Sequence, residues 1–172
     1  VHVVYGQRNR IQNPLRLIKG LGIDVEDFAF TGRVMALPVL TSQLGEQGVL
    51  VLDIGAGTSE YAVYLNGSIR HCGVLAVGGE HVTNDLAVGL KLTQSRAESL
   101  KLTHGSAVCD LSTAHRTVNY SRGVGIGDKQ ILIGDLHRIM NVRLEELFLL
   151  VRADLEQKKL MGSISGGVLL SG

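Results

Sequence analysis

A strand, a glycine-rich turn and a second strand follow one another in this chain, and that succession most constrains its fold. The apolar run Val49–Leu52 is closed by Asp53, and the turn Ile54-Gly-Ala-Gly-Thr58 leads into a second run, Glu60–Leu65. Glycines allow a ligand to approach the backbone closely and adopt angles that other residues avoid. The pattern predicts a hairpin whose turn presents N–H groups to a bound group, and phosphate is the ligand that suits such a turn.

Two acidic residues flank this turn. Asp53 ends the first strand and Glu60 begins the second. Carboxylates in such places can hold the water shell of Mg²⁺ or orient an attacking water in phosphoryl transfer. Asp53 and Glu60 are therefore candidate catalytic residues, and Asp53 is a candidate for holding Mg²⁺ through water. A hairpin whose glycines only satisfy backbone geometry is the alternative if this segment stood alone.

Two further glycine pairs precede predicted elements. Gly78-Gly79 opens a helix, where N–H groups and the positive end of the helix dipole favour an anion. Gly166-Gly167 precedes the last strand.

Glu98 and Lys101 lie three residues apart on one predicted helix face, where they can contact a ribose and a base. Such a pair taken alone is more often a solvated ion pair.

Hydrophobic periodicity predicts alternating strands and helices around the hairpin. The predicted strands are Val1–Tyr5, Val25–Phe30, Gly48–Asp53, Glu60–Leu65, Ser68–Ala76, Thr117–Tyr120 and Ser165–Ser171, with Asn66-Gly67 as a tight turn. The predicted helices run from near Pro14 to Gly20, from Gly78 to Val88, from Ser95 to His104 after a Thr93 cap, and from Ile133 to Leu160 before Gly162. Val34–Leu40 reads as a helical or extended connector. Residues 105–129 are mixed, with Gly123, Gly125 and Gly127 loop-like, and apart from Thr117–Tyr120 they allow no assignment.

The bulk composition excludes several classes of protein. With 17 basic and 16 acidic residues the net charge is +1, which gives no reason to expect a nucleic-acid partner. Cys72 and Cys109 lack metal-ligand spacing, so two buried thiols are predicted. No apolar run is long enough to span a membrane, and no signal peptide is recognisable. Both ends fall in apolar runs, from which we expect a fragment truncated at both ends.

The segment from Val49 to about Gly105 resembles the superfamily of actin, the heat-shock chaperones and the sugar kinases. Its second phosphate motif, an apolar strand followed by Asp-x-Gly-Gly-Gly-Thr-x-Asp, is met here by Asp53, Gly55, Ala56, Gly57, Thr58 and Glu60. The runs Val77–Leu90 and Ala97–Lys101 resemble the FtsA family of bacterial cell-division proteins within it. Gly166–Gly172 resembles the opening of the adenosine motif.

The resemblance implies an α/β, actin-like ATPase fold of the ribonuclease H type, with a mixed sheet, flanking helices and an inserted smaller α+β subdomain. Residues 1–48 would end the first half of that fold, with Val34–Leu40 as the connecting helix. Residues 49–80 and 162–172 would form the inner subdomain of the second half, and 81–161 its inserted outer subdomain. The implied nucleotide contacts are Gly55, Ala56, Gly57, Thr58, Gly78, Gly79, Glu98, Lys101, Gly166 and Gly167.

The resemblance also implies a function. FtsA proteins bind ATP with Mg²⁺, self-associate into actin-like filaments and tether the ring protein FtsZ to the cytoplasmic face of the membrane at the division site. The membrane-targeting segment would lie outside this chain. Arg143 matches the family arginine that helps hold the acidic C-terminal peptide of FtsZ, and its planar fork suits a carboxylate. An arginine paired only with Glu145 or Glu146 is the alternative from the residue alone.

Two departures from the motif bear on catalysis. Ala56 replaces a glycine, and Glu60 carries its carboxylate one methylene further out than aspartate. Because a misplacement of about 1 Å can cost about 100-fold in rate, at most slow ATP hydrolysis is expected in the full-length protein. This chain alone should bind ATP weakly or not at all and be inactive. A small-molecule kinase and a pilus-assembly or chaperone-like relative remain alternatives from the sequence.

Overall fold

The computed structural model describes residues 5–120 and 129–172, and within them the chain is an α/β protein. The helices are α1 (Arg8–Gly20), α2 (Thr31–Val34), α3 (Ser42–Gln47), α4 (Gly79–Gly89), α5 (Gln94–His104) and α6 (Ile133–Gln157). The strands are β1 (Val49–Ile54), β2 (Ser59–Leu65), β3 (Ser68–Leu75), β4 (Thr117–Tyr120), β5 (Lys129–Leu132) and β6 (Val168–Ser171). The chain divides into two compact units, of which the first holds residues 1–53, 60–73 and 163–171 and the second holds 54–59, 74–162 and 172.

Most of a four-stranded mixed sheet lies in the first unit. Its strand order is β3-β2-β1-β6. β6 runs parallel to β1, with Leu50 opposite Val168 and Asp53 opposite Ser171. β2 and β3 are joined by Asn66 and Gly67, whose φ angles of 52° and 69° are those of a tight hairpin turn. The predicted mixed sheet and hairpin are therefore confirmed.

The core of the first unit surrounds β1. Val49 and Val51 have no exposed surface, and they pack with Ala62 and Tyr64 of β2. A continuous apolar run is typical of a strand covered on both faces. The Tyr64 hydroxyl donates to the Gly32 carbonyl at 3.1 Å, and burial raises the pKa of this phenol although the nearby Arg33 charge opposes the shift.

The second unit packs α4 against α5 and α6 beside the antiparallel pair β4 and β5. Leu86 and Leu136 are fully buried in its core. The other buried members of this cluster are Val82, Ala87, Leu90, Ala97, Leu100, Ile131, Ile133 and Met140. The buried residues of the long helix form an apolar stripe that also includes Leu147, Val151 and Leu155. Buried His137 lies within that helix, and its Nε2 is 2.9 Å from the carbonyl oxygen of His104, at the end of α5.

Three predictions were wrong between Arg8 and Leu40, for the first helix, the strand after it and the connector. α1 begins at Arg8 and contains Pro14. Because no residue of α1 is buried, the carbonyl that Pro14 leaves without a donor can stay hydrated. Val25–Phe30 is not a strand, and the Asp27 side chain accepts the Phe28 N–H at 2.7 Å, a local bond that competes with sheet pairing. The connector is helical only at Thr31–Val34, followed by turns.

The end of the long helix also differs from the prediction. α6 ends at Gln157, and Lys159 adopts a left-handed φ of 58°. The N–H groups of Lys159 and Leu160 then bond the carbonyls of Glu156 and Leu155. A lysine, rather than Gly162, therefore follows the helix end in the left-handed conformation. The predicted strand Val1–Tyr5 and the loop with Gly123, Gly125 and Gly127 fall mostly or wholly outside the described residues.

The two cysteines differ in exposure, so the prediction of two buried thiols was wrong for Cys109. Cys72 is half-buried on β3, and burial raises the pKa of its thiol. Cys109 is exposed, in a surface segment beside the exposed Val108 and Leu111. That segment has too few apolar neighbours to bury a thiol.

We expect N-ethylmaleimide to modify Cys109 severalfold faster than Cys72 in the native chain at neutral pH. The thiolate is the reacting species, and Cys72 is both less accessible and harder to ionise. Mass spectrometry of timed samples gives the two rates. In urea the two rates should converge, and a native Cys72 that reacts as fast as Cys109 would contradict its burial on β3.

Candidate functional site

The glycine-rich turn between β1 and β2 is docked on the first turn of α4. The N–H of Gly79 donates to the carbonyl of Gly55 at 2.9 Å, and the N–H of Glu80 donates to that of Ala56 at 2.8 Å. A Cβ on Gly78 would lie 2.5 Å from both loop carbonyl oxygens. Glycine is therefore required at position 78 by the close approach of two backbones.

This docking changes which N–H groups can meet a ligand. The first N–H groups of α4 are taken by the loop carbonyls, and the N–H of Gly78 donates to Nδ1 of His81 at 3.1 Å. Among the hydrogen bonds between described residues, none is donated by the N–H groups of residues 56–58, which are exposed. The loop, rather than the bare end of α4, offers the free donors of this site.

An open cavity of about 760 Å³ lies beside the docked loop in the second unit. Residues from the loop, from the first half of α4 and from α5 line it. They are Ala56, Gly79, Glu80, His81, Thr83, Asn84, Gln94, Ser95, Glu98 and Lys101. The sequence had singled out Ala56, Gly79, Glu98 and Lys101 among these. It missed His81, Asn84 and Gln94, although polar residues beside Gly79 and Glu98 on their helices were a usable signal.

Lys101 and Glu98 form a connected pair on the cavity wall. The ammonium of Lys101 lies 2.7 Å from a Glu98 carboxylate oxygen, 2.8 Å from the Thr83 hydroxyl and 3.1 Å from the Gly79 carbonyl. The Thr83 hydroxyl also bonds Glu98. Lys101, 17% exposed, is thus held to the start of α4, whereas Glu98, 42% exposed, can still accept from a ligand hydroxyl.

These contacts make Glu98 a pH-dependent link between α4 and α5. The hydrogen bonds from Lys101 and Thr83 hold the pKa of the Glu98 carboxyl below its usual value. A depressed folded-state pKa stabilises the fold above the unfolded-state value of about 4.3, and this contribution is lost as pH falls through the folded pKa. We expect Glu98→Gln to lower the urea midpoint at pH 7 and the difference to shrink below about pH 4. A difference that stays constant with pH would show that the charge of Glu98 does not matter.

The remaining nucleotide candidates lie in the first unit. Asp53 is half-buried at the end of β1. Glu60 is half-buried near the start of β2, and its Oε2 is buried without a hydrogen-bond donor among the described residues. The N–H of Gly166 donates to the Gly48 carbonyl at 2.7 Å, and Gly167 has a φ of 86°, which favours glycine.

The carboxylates of Asp53 and Glu60 suit Mg²⁺ only through its water shell. Within residues 5–120 and 129–172, no group of three or more His, Cys, Asp or Glu side chains is placed to hold a metal. Mg²⁺ keeps most of its waters and needs only one or two carboxylates together with phosphates. The orphaned Oε2 of Glu60 is an acceptor that such a water can satisfy. Asp53 and Glu60 therefore fit a water-mediated Mg²⁺ and do not fit a direct protein cage.

Arg143, on α6, is held by two carboxylates of its own chain. Its Nε and one terminal nitrogen bond the two Asp85 oxygens at 2.5 and 3.1 Å, and its other terminal nitrogen bonds Glu146. The bond to Asp85 raises the pKa of the guanidinium. The sequence had offered Glu146 as a partner, but it missed Asp85, which lies 58 positions away on α4.

A groove of about 490 Å³ runs along α6 beyond Arg143. Its lining residues are Asn141, Leu144, Glu145, Phe148, Leu149 and Arg152. Phe148 and Leu149 are 43% and 53% exposed and lie next to each other in this groove. Sequence reasoning missed this groove because it singled out neither Phe148 nor Leu149. Among the described residues, no helix has the length and apolar character of a membrane span.

Solved structures with this arrangement define the class of protein. A structure of MreB5 of Spiroplasma citri bound to ADP superposes with a TM-score of 0.77 at 20% identity, covering 96% of this chain and 54% of that one. A PilM–PilN complex of type IV pilus biogenesis gives a TM-score of 0.68, also at 20% identity, covering 94% of this chain and 40% of that one. The chain therefore has the fold of the actin-like ATPases, as predicted.

Sequence comparison identifies the family within the actin-like ATPases to which the chain belongs. Residues 50–171 match the family model described as "Cell division protein FtsA". FtsA of Pseudomonas aeruginosa is 33% identical and FtsA of Neisseria meningitidis 31% identical over all of this chain. The chain belongs to the FtsA family. It spans 41% and 42% of the lengths of these two relatives.

Proposed function

We propose that the protein acts as an FtsA-type adaptor, an ATP-binding actin-like protein that links FtsZ to the inner face of the membrane at the division site. The docked glycine loop beside the cavity of Glu98 and Lys101 carries the nucleotide part of this proposal. Membership of the FtsA family supports the proposed link between FtsZ and the membrane. MreB5 of Spiroplasma citri, which has a similar fold, has been solved with ADP and with AMPPNP, and this supports nucleotide binding by the fold.

The proposed nucleotide contacts follow the geometry of each group. Free N–H groups of residues 56–58 suit phosphate oxygens, and the half-exposed Glu98 suits ribose hydroxyls. Lys101 is assigned to the base or ribose edge. In the first unit, Gly166 and Gly167 are assigned to the adenosine. When bound, Mg²⁺ supplies positive charge to the phosphates, and Asp53 and Glu60 would orient its waters.

The proposed subdomains have the boundaries that were predicted from the sequence. Residues 1–48 end the first actin-like half, 49–80 and 162–172 form the inner subdomain of the second half, and 81–161 form the outer subdomain. Ala56 and Glu60 stand where the motif has glycine and aspartate, so ATP hydrolysis is proposed to be slow. ATP then serves mainly to set the conformation and the self-association of the whole protein.

The FtsZ site is proposed on α6. Arg143 offers a fork for an acidic peptide, and the neighbouring groove exposes Phe148 and Leu149 to apolar side chains of the same peptide. A helix surface with a charged anchor and an apolar groove is a common way to bind a short peptide. The net charge of +1 gives no support to a nucleic-acid partner.

The nucleotide part is tested by ligand-observed NMR with millimolar ATP and Mg²⁺. We expect weak, saturable binding by this chain, weakened severalfold by Lys101→Gln and unchanged by Lys91→Gln. Lys91 is exposed and lies outside the cavity lining, so it controls for the loss of charge. Equal effects of both variants would contradict the assignment of the cavity to ATP.

A further inference from the structure

The guanidinium of Arg143 is already largely engaged inside the chain. Of its five N–H donors, two bond Asp85 in a fork at 2.5 and 3.1 Å and one bonds Glu146. A single arginine facing two carboxylates leaves the cluster with a net charge of −1 at neutral pH. Such a cluster repels an acidic peptide. The peptide can form a bidentate contact with Arg143 only after an internal carboxylate has released the guanidinium.

The two internal carboxylates are not equivalent. Glu146 is 53% exposed and makes one bond from the next turn of the same helix, and exposed pairs of this kind contribute little to stability. Asp85 is 28% exposed, belongs to α4, and makes the bidentate contact. Bidentate, charge-assisted pairs are the stronger and more directional ones. Asp85 is therefore the carboxylate that controls whether Arg143 is free.

The helix that carries Asp85, α4, also lines the open cavity beside the docked loop. Gly79, Glu80, His81 and Thr83 of α4 line that cavity, and Asp85 lies half a turn further along. Because a helix moves as a rigid element, the Asp85 carboxylate moves with the cavity wall, and a fork at 2.5 Å tolerates little displacement.

We propose that Asp85 is an internal competitor that withholds Arg143 from acidic partners, and so sets the affinity of the α6 surface for the FtsZ peptide. The second half of this statement rests on the proposed function of α6. The first half, the withholding of Arg143, concerns the chain alone and has its own readout.

The first readout is the rate at which phenylglyoxal modifies Arg143, measured by mass spectrometry. Arg152 on the same helix is 63% exposed and, among the residues that the structure describes, bonds one carboxylate oxygen, of Glu156 at 2.7 Å, so it is the internal reference. Arg143 should react severalfold more slowly than Arg152. Asp85→Asn should bring the two rates together, whereas Glu146→Gln should have a smaller effect. Equal rates in the unmodified chain, or equal effects of the two substitutions, would overturn the proposal.

The second readout is the affinity for a labelled, acidic FtsZ C-terminal peptide. Asp85→Asn should bind it severalfold more tightly than the unmodified chain, and Glu146→Gln should gain less. Unchanged or weaker binding by Asp85→Asn would overturn the competition. If no variant binds the peptide, the FtsZ assignment fails, and the phenylglyoxal rates alone decide whether Asp85 withholds Arg143. Asp85→Ser is the second variant should Asp85→Asn fold poorly, as judged by circular dichroism.

Discussion

Gly78→Ala should destabilise the chain by about 1–3 kcal/mol, the usual effect of forcing a methyl group into a packed site. The new Cβ would meet the carbonyl oxygens of Gly55 and Ala56 at 2.5 Å. Both oxygens accept hydrogen bonds from the α4 N–H groups that dock the loop on the helix. Neither oxygen can move away from the new Cβ without breaking its hydrogen bond. Urea unfolding followed by circular dichroism measures the loss, and ATP binding should fall with it.

Gly57→Ala is the matched control within the same loop. The nearest atom to a Cβ there is Glu80 Oε2 at 4.0 Å, and Gly57 does not have a positive φ. Replacing a glycine at a compatible position stabilises a protein by about 0.4–1 kcal/mol through the unfolded chain. The two substitutions should therefore have opposite signs. A tolerated Gly78→Ala would contradict the close docking of loop and helix.

Leu136→Ala should lower the stability of the second unit by about 2–5 kcal/mol. The side chain is fully buried, and its neighbours in the core come from α4, α5 and β5 as well as α6. Removing it leaves a cavity that three separate elements would have to close. Hydrogen exchange of α6 amides together with urea unfolding measures the loss.

Val142→Ala is the control for Leu136→Ala on the same helix. Val142 is 59% exposed, so its truncation should change stability by no more than about 0.5 kcal/mol. Comparable losses from both variants would mean that α6 buries a different face from the one described.

The elements with a strong local signal were the ones that sequence could predict. β1 is a continuous apolar run, the Asn66-Gly67 turn has its own backbone chemistry, and the α6 stripe repeats with helical spacing. Val25–Phe30 was misassigned because the Asp27 side chain bonds the backbone locally. An apolar run of this length indicates a strand only when a neighbour is available for pairing.

At the site, sequence could predict residue types but not their partners. The glycines and the Glu98–Lys101 pair follow from motif and spacing, and the structure shows that pair in contact. The engagement of the α4 N–H groups by loop carbonyls and the Asp85–Arg143 fork depend on contacts between segments distant in sequence. No pattern within one segment encodes such a contact.

Titration of a labelled FtsZ C-terminal peptide against this chain, at low and high salt, tests the central claim most directly. The account predicts saturable binding that weakens with salt, because screening reduces attraction between exposed charges. Arg143→Ala should weaken it by about tenfold or more, as expected for a lost hydrogen bond to a charged group. Arg138→Ala, which removes an exposed charge from the same helix, should bind normally. No binding by the folded chain, or equal losses in both variants, would contradict the FtsZ assignment.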